Sequence, residues 1–415
     1  MIPLCYTNGV FNTPSEYHRG ADAFIETSKL SQKSLFMQMS GKLRLMIFLS
    51  FAPVSAFCIS DDARISVLTF EPGIPYYTLF GHTAIRIADS IMKMDRVYNF
   101  GTFDFNTPHF YLKFMKGNLE YYLTVNDFND GLFYWIIEHR KIYEQVLDMN
   151  GREKQLLYQD LEKCYHSKER FYHYDFLYNN CATKVRDAVF HSLEEPVSFD
   201  TGQYCCQTFR QRMKPYFAGR YWINLGINLA LGKEADKKGG AWNSMFLPVY
   251  IMNILEDSGM SREKSLLLDA SVTGKRRFNF SAISAWAIAS ALVILSFLPR
   301  TRKIVFYLLL SVVGLNGLFL LVLTMISRNS GFSSNLNGYW MIPSLAVLLI
   351  RNKRINDGIR ILYMVLLLII LLFWNHLPQE LSETFIPWII TLLAVLAVDL
   401  QFLSRVHRQR STVHS

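Results

Sequence analysis

The amino-acid sequence predicts an α+β domain followed by a bundle of transmembrane helices. Three observations carry that expectation. The composition changes sharply near residue 280, the segments before the change run from strand-like to helix-like, and those after it are long apolar runs with basic punctuation. The chain has 415 residues, 51% apolar and 19% charged, and one soluble domain would not divide those averages so unevenly. A net charge of +9 raises the question of nucleic acid. That class wants basic residues interleaved with aromatics on one face. Here many basic residues flank apolar runs instead, as the positive-inside rule expects of a membrane protein, so no nucleic-acid partner is expected.

Residues 1–36 show neither sustained periodicity nor a hydrophobic run, and are expected to be unstructured or an extension upstream of the true start at Met37 or Met39. Residues 37–58 have the layout of a secretory signal. Lys42 and Arg44 precede the apolar run Leu45–Phe51, and the small residues of Pro53–Ala56 follow. The run is too short for a comfortable span. Cys58 suggests lipid attachment, but Phe57 is too bulky for the position before a lipidated cysteine.

Residues 63–280 read as the exported domain. Ile65–Phe70, Thr83–Ile87 and Val97–Phe100 alternate and are β-branched or aromatic, which predicts strands. Gly131–Tyr143 and Arg152–Cys164 read as helices. A further helix follows Asn179 and Asn180, with Val185, Ala188, Val189 and Leu193 on one face. Residues 281–403 hold about five spans, near 281–298, 304–326, 338–350, 360–375 and 384–403, the third of them short; residues 404–415 form a basic cytoplasmic tail. Charge supports that topology. Segments on the cytoplasmic side carry Arg300, Arg302 and Lys303, then Arg351, Lys353, Arg354 and Arg360, then Arg405, Arg408 and Arg410. Loops on the exported side carry only Arg328, and then Glu380 and Glu383. Lys275, Arg276 and Arg277 run against the rule and read as a solvated turn.

Two constellations could carry chemistry. In Phe80-Gly81-His82-Thr83-Ala84 a histidine opens an apolar strand, a weak signal alone. In Tyr178-Asn179-Asn180-Cys181-Ala182-Thr183 a cysteine opens a helix. Unpaired N–H groups and the positive end of the helix dipole favour thiolate there. Asn179 or Asn180 would cap that helix, and the same N–H groups could receive an oxyanion. The six cysteines match no paired zinc pattern, so no metal or cofactor is expected. Cys205 and Cys206 are adjacent, which strains a mutual disulfide; one of them could bond Cys164, or both could be buried thiols. Tyr121, Tyr122, Phe133, Tyr134 and Trp135 read mostly as core, with part available to line an acyl groove or to sit at the membrane interface. Asn335 and Asn337 mark either a polar membrane-facing site or an ordinary loop.

Together the two constellations resemble the permuted branch of NlpC-type and lecithin:retinol acyltransferase-like papain folds, in which the histidine strand precedes the cysteine helix. The resemblance is closer still to the Lnb-type family of bacterial lipoprotein N-acyltransferases. It runs in order through Gly81–Ala84, Tyr98–Phe105, Phe110–Phe114 ahead of Gly117, Tyr174–Phe176 leading into Asn180–Thr183, and Met245–Pro248, covering roughly residues 63–260. What it implies is a permuted papain-like thiol-histidine fold, with Cys181 as the nucleophile and His82 as the general base and later acid. A polar group should orient the imidazole, and Asp104, Asn99 and Asp175 all remain open. His173 is a rival base. Arg86 and Arg186 could contact a phospholipid phosphate, though salt bridges explain them at least as well.

The implied reaction passes a fatty acyl chain, by way of a cysteine thioester, to the N-terminal amine of a diacylglyceryl lipoprotein. The donor is a membrane phospholipid or a lipoprotein, and the enzyme sits in the inner membrane with its catalytic domain in the periplasm. Two alternatives stay open from the residues themselves: a periplasmic cysteine amidase or peptidase acting on cell-wall peptides, and a non-enzymatic membrane sensor with an exported ligand-binding domain.

Overall fold

The computed structural model describes residues 58–413, apart from 74, 200–201 and 270–279. The expected secretory signal before Cys58 and the basic triplet at 275–277 lie outside the described residues.

One antiparallel sheet organises the exported domain. Its strands are β1 (Arg64–Phe70), β2 (His82–Asp89), β3 (Met94–Thr102), β4 (Glu120–Asp127), β5 (Lys141–Leu147), β6 (Phe171–His173) and β7 (Ser261–Asp269). Their order in the sheet is β6-β4-β3-β2-β1-β5-β7. Helices α1 (Phe110–Lys116), α2 (Phe128–Ile137), α3 (Gly151–Tyr165) and α4 (Cys181–His191) interrupt the strands. They are followed by α5 (Phe209–Met213), α6 (Tyr221–Ala230), α7 (Ala241–Ser244) and α8 (Pro248–Asp257).

Side-chain alternation gives the sheet two buried faces. Ile65, Val67, Ile85, Ile87 and Tyr98 turn toward α3, α4 and α8, where they meet Leu157, Val185, Val189 and Ile254. Leu68, Phe70, Ala84 and Val97 turn the other way, onto Phe128 and Trp135 of α2. Both faces being covered explains why apolar residues also stand at neighbouring positions of these strands, as at Val67 and Leu68. The helix expected over Gly131–Tyr143 stops at Ile137. His139 takes a positive φ of 52°, which no helix interior tolerates, and Lys141–Tyr143 belong to β5. The helix expected after Asn180 ends at His191, before Leu193.

The C-terminal region is helical: α9 (Phe280–Phe297), α10 (Arg302–Ile326), α11 (Asn337–Met341), α12 (Pro343–Leu349), α13 (Lys353–Leu372) and α14 (Ile386–Val413). Among the described residues three stretches are long and apolar enough to cross a membrane, Arg302–Ile326, Lys353–Leu372 and Glu383–Gln401, and Ser281–Phe297 is a shorter apolar helix. At the position of the expected short third span stands the pair α11 and α12, of 5 and 7 residues, which run on through helical Ile342 ahead of Pro343. Glycines let this pair press onto α10: a Cβ at Gly317 would lie 2.7 Å from Met341 Cβ, and one at Gly314 would lie 2.6 Å from Leu345 Cγ.

The bundle is hydrogen-bonded to the exported domain. Asp175 accepts from the Ser330 backbone N–H (2.6 Å) and hydroxyl (2.7 Å), and the Arg328 N–H donates to the Lys116 carbonyl at 3.0 Å. Asn335 and Asn337, both buried, donate to backbone carbonyls of α6, Leu229 (2.7 Å) and Asn228 (3.0 Å). Gln379 accepts from the Leu336 N–H at 2.7 Å, and Asp236 from the Glu380 N–H at 3.1 Å. The two loops that dock here are those whose charge assigns them to the exported side. Helix α6, absent from the sequence reading, lies against the bundle core through Leu225 and Leu229.

Near the opposite end of the bundle, Asp399 accepts from Arg360 at 2.6 Å and lies 3.7 Å from Arg302. Asp399→Ala would leave two largely buried guanidinium groups without their shared counter-ion. Thermal denaturation in detergent should register a loss of about 3 kcal/mol, the low end of the cost of breaking a buried pair. Asp357→Ala, which removes only a 3.9 Å contact to Arg360, should cost under about 1 kcal/mol.

Candidate active site

Cys181 is the first residue of α4, and Asn180 is its N-cap in extended conformation. The Asn180 Oδ1 accepts from the N–H groups of Ala182 (2.8 Å) and Thr183 (3.0 Å), and the Thr183 hydroxyl accepts from the Asn180 N–H at 2.8 Å. This reciprocal cap fixes where the helix begins. The Asn180 Nδ2 donates outward to the carbonyls of Phe176 (2.7 Å) and Phe246 (3.0 Å), so the start of α4 is held from two sides. Phe246 stands two residues before Pro248, which opens α8, where its fixed φ suits the first turn and its missing N–H costs nothing.

His82 is the first residue of β2 and is buried. The turn before it needs glycine: Gly81 has φ +80°, and a Cβ there would lie 2.5 Å from the Phe70 carbonyl oxygen. The imidazole Nε2 is 3.3 Å from Asn99 Oδ1 on β3. An amide oxygen in that position accepts from Nε2–H, which selects the tautomer whose Nδ1 carries the lone pair. Burial foremost, with the Arg140 charge adding to it, holds the His82 pKa well below 6.5. The ring is therefore neutral at pH 7.

Gly101 joins the two halves. It has φ +89°, and a Cβ there would lie 3.2 Å from Cys181 Cβ and 3.8 Å from the Tyr172 hydroxyl. The strand is irregular at this point, the β3–β4 register shifting between Asn99 and Thr102. Cys181 thus fills the space where a side chain of residue 101 would stand, two residues along β3 from the asparagine that holds His82. Gly101→Val would impose both a left-handed backbone on a β-branched residue and a clash with the cysteine. The expected result is a loss of activity of about 100-fold or more, because small displacements of a reacting group are that costly. Kinetic assay of the purified variant checks it, and Gly219→Val, at an equally positive φ of 75° with no atom near its Cβ, controls for strain alone.

Buried Arg140 supplies the local charge. Its Nε donates to the Glu71 carbonyl at 2.9 Å and its Nη1 pairs with Glu138 at 2.9 Å. The guanidinium lies 5.3 Å from the Phe70 ring, which is itself 5.5 Å from the His82 ring. Its Nη2 has no hydrogen-bond partner among the described residues. The rings of Tyr121, Tyr172 and Tyr174 pack together, Tyr121 lying 6.3 Å from Tyr172 and 4.4 Å from Tyr174, and burial first, then neighbouring charge, raises the pKa of all three. Nothing in the sequence marks Arg140, which follows an apolar run easily taken for a continuing helix. Gly101 lies inside a family-like stretch, yet only the fold reveals its spacing role.

The other candidates lie elsewhere. Asp104 closes a turn, accepting from the Asn106 N–H at 2.8 Å. Asp175 belongs to the junction with the bundle, through Ser330. Asn179 donates to the His173 carbonyl at 2.8 Å and does not cap α4, while His173 is exposed on the short strand β6. Arg86 is committed to Asp95 (2.6 Å) and Glu144 (3.2 Å) beneath Phe128. Arg186 is committed to Asp187 (2.7 Å) and the Trp242 carbonyl (3.1 Å). Neither arginine presents an uncommitted charge for phosphate. Cys205 and Cys206 are exposed rather than buried as expected, Cys164 is half-buried, and all three are free thiols. A groove of about 840 Å³ runs along the flank of α4 past Cys164, Lys184 and Trp242 and does not include Cys181. No cluster of three metal-ligating side chains occurs among the described residues.

Two family models match the chain in succession. Residues 53–203 match the Lnb N-terminal periplasmic domain, and residues 278–405 match the Lnb transmembrane domain. The chain belongs to the Lnb family. No curated protein and no solved structure matches it. As an Lnb protein it is a membrane protein with a periplasmic domain, and strands β1–β6, α4 and the His82–Asn99 pair all fall within the first Lnb match, while the edge strand β7 lies beyond it. Residues 204–277, which hold Phe246 and α6, lie between the two Lnb matches.

Proposed function

We propose that this Lnb protein is a thiol-histidine acyltransferase that N-acylates bacterial lipoproteins. The observation that carries the reading is the packing of Cys181, at a helix N-terminus, into the side-chain-free space of Gly101 beside the His82–Asn99 pair. In the first step Cys181 Sγ attacks the ester carbonyl of a membrane lipid. An S–C bond forms, the ester C–O bond breaks, and the thiol proton passes through His82 Nδ1 to the departing alkoxide. In the second step the free α-amine of a diacylglyceryl-cysteine attacks the thioester. An N–C bond forms, the C–S bond breaks, and the amine proton returns through His82 to sulfur.

The oxyanion of each step needs donors. The N–H groups of Ala182 and Thr183 are taken by Asn180, so the helix contributes the N–H of Cys181 itself, and the buried Tyr172 hydroxyl beside Gly101 is the side-chain donor we assign. A membrane anchor suits the chemistry. Donor and acceptor chains both lie in the bilayer, and drawing either into water would cost about 0.8 kcal/mol per methylene. We place the protein in the inner membrane as a multi-pass protein whose docked loops and catalytic domain share the periplasmic side.

The test uses full-length protein in detergent with phospholipid and a synthetic diacylglyceryl-cysteine lipopeptide bearing a free amine. Mass spectrometry should find one added acyl chain on the peptide nitrogen. Cleavage of cell-wall peptides without acyl gain would replace this reading with an amidase. Ligand binding with neither activity would make the protein a sensor.

A further inference from the structure

Helix α1 carries an exposed apolar surface that the catalytic reading does not use. Tyr111 is 75% exposed and Leu112 44%. Phe105 is exposed on the preceding loop, and its ring lies 6.3 Å from that of Tyr77, next to the 79% exposed Tyr76. In water such a cluster is unfavourable, and its place in the fold supplies the reason it persists. The Lys116 carbonyl, at the end of α1, accepts from the Arg328 N–H at 3.0 Å. A Cβ at Gly117 would lie 2.7 Å from the Asn329 backbone nitrogen. Arg328 stands two residues beyond Ile326, where the long apolar stretch of α10 ends. Helix α1 is therefore fastened to the chain just past the hydrocarbon end of a membrane-crossing helix, at the depth where lipid headgroups lie.

The inner side of α1 points the same way. Phe110 and Phe114 pack on Phe103, Leu119 and Tyr121. The ring centroids run from Phe105 to Phe110 (5.0 Å), Phe110 to Phe103 (5.6 Å), Phe103 to Tyr121 (5.1 Å) and Tyr121 to Tyr174 (4.4 Å). The Tyr121 ring also lies 6.3 Å from that of Tyr172, whose hydroxyl and Cys181 Cβ both border the side-chain-free space of Gly101. An unbroken aromatic path thus leads from the exposed surface to the cysteine. Tyrosines with a leucine and a phenylalanine on the outside, and Lys113 and Lys116 on the same helix, are the composition of an interfacial segment facing acyl chains and phosphates.

We infer that α1, with Phe105 and Tyr76, is a lip inserted in the interfacial layer of the bilayer, against phospholipid, that leads a lipid chain to the aromatic path behind it. The location of the lip stands on geometry alone; its use in delivering a donor chain rests on the acyltransferase reading. The test incorporates the photoreactive p-benzoylphenylalanine at position 112 of full-length protein in vesicles of phosphatidylethanolamine and phosphatidylglycerol. Position 91 serves as control, because Ile91 is equally apolar and 63% exposed but sits in the turn at the far end of β2. Irradiation should join phospholipid to position 112 at least about ten times more than to position 91. Equal labelling, or none at 112, overturns the inference. Crosslinking needs no turnover, so a protein that labels at 112 but transfers no acyl chain defeats the acyltransferase reading and leaves the lip standing. Where transfer is observed, Leu112→Asp should lower it about ten-fold with bilayer donor and leave a short-chain soluble ester unaffected. Equal losses with both donors would remove the delivery role.

Discussion

Cys181→Ser should abolish acyl transfer, lowering the rate by about three orders of magnitude or more, while leaving the thermal unfolding midpoint nearly unchanged. The two side chains are almost the same size, so Val185 and Gly101 keep their neighbour. What is lost is the acidity and softness of sulfur, and a neutral imidazole activates a hydroxyl far less readily than a thiol. His82→Gln should produce a loss of similar size, since residues of one catalytic unit are not additive and the double variant should be no worse than either alone. The pH profile gives an independent check. Burial holds the His82 pKa well below 6.5, so the base form persists as the medium is acidified, and the acid limb of activity should lie below pH 6.5. Stability carries the matching sign. As pH falls below about 6.5, His82 of the unfolded chain binds a proton that the native ring refuses, so the folded state loses stability from there down to the native pKa. His82→Gln should remove that part of the acid destabilisation. An acid limb near 7, or a fully active Cys181→Ser variant, would end the thiol-histidine assignment.

Much of this was legible in the residues, and where it was not the reason is physical. The central strands announce themselves because Val67, Ile85 and Tyr98 alternate with residues that face a second buried layer. The cysteine helix is visible because Asn179 and Asn180 precede a run that sets Val185 and Val189 on one face, both of them buried; which asparagine caps it is not. The partner of His82 is not visible. Asn99, Asp104 and Asp175 all have suitable chemistry, and the choice depends on pairing between β2 and β3 and on the irregularity after Asn99. Nothing local encodes either of those. Asp175 reads as a possible orienter of the imidazole from its nearness to Cys181 in sequence, yet its carboxylate is spent on Ser330, 155 positions away. Hydropathy likewise finds apolar residues at 338–350 but cannot see that Gly314 and Gly317 let this helix pair lie closely against α10. Local propensity and pattern are readable one segment at a time; register, docking and glycine contacts are properties of pairs of segments.

That distinction bears on how the nucleophile is held. A capping asparagine is usually worth about 1 kcal/mol, but Asn180 is buried and joins three segments: α4, the turn at Phe176 and the stretch before α8. Asn180→Ala removes two acceptor contacts and also strands the carbonyls of Phe176 and Phe246, each at a cost of about 1 kcal/mol or more. A total loss of about 3 kcal/mol is expected in thermal or denaturant unfolding, together with a large fall in activity as the first turn of α4 frays. Asn180→Asp separates the two contributions. Its carboxylate still accepts from Ala182 and Thr183, so the cap survives, but it cannot donate to either carbonyl and it sets a negative charge beside Cys181. A thiolate there is disfavoured by like charge, so alkylation of Cys181 by iodoacetamide, followed by peptide mass spectrometry, should slow and shift to higher pH even in the folded fraction. If Asn180→Asp keeps wild-type stability and alkylation rate, the asparagine is a cap and nothing more, and the thiol owes its position to Gly101 alone.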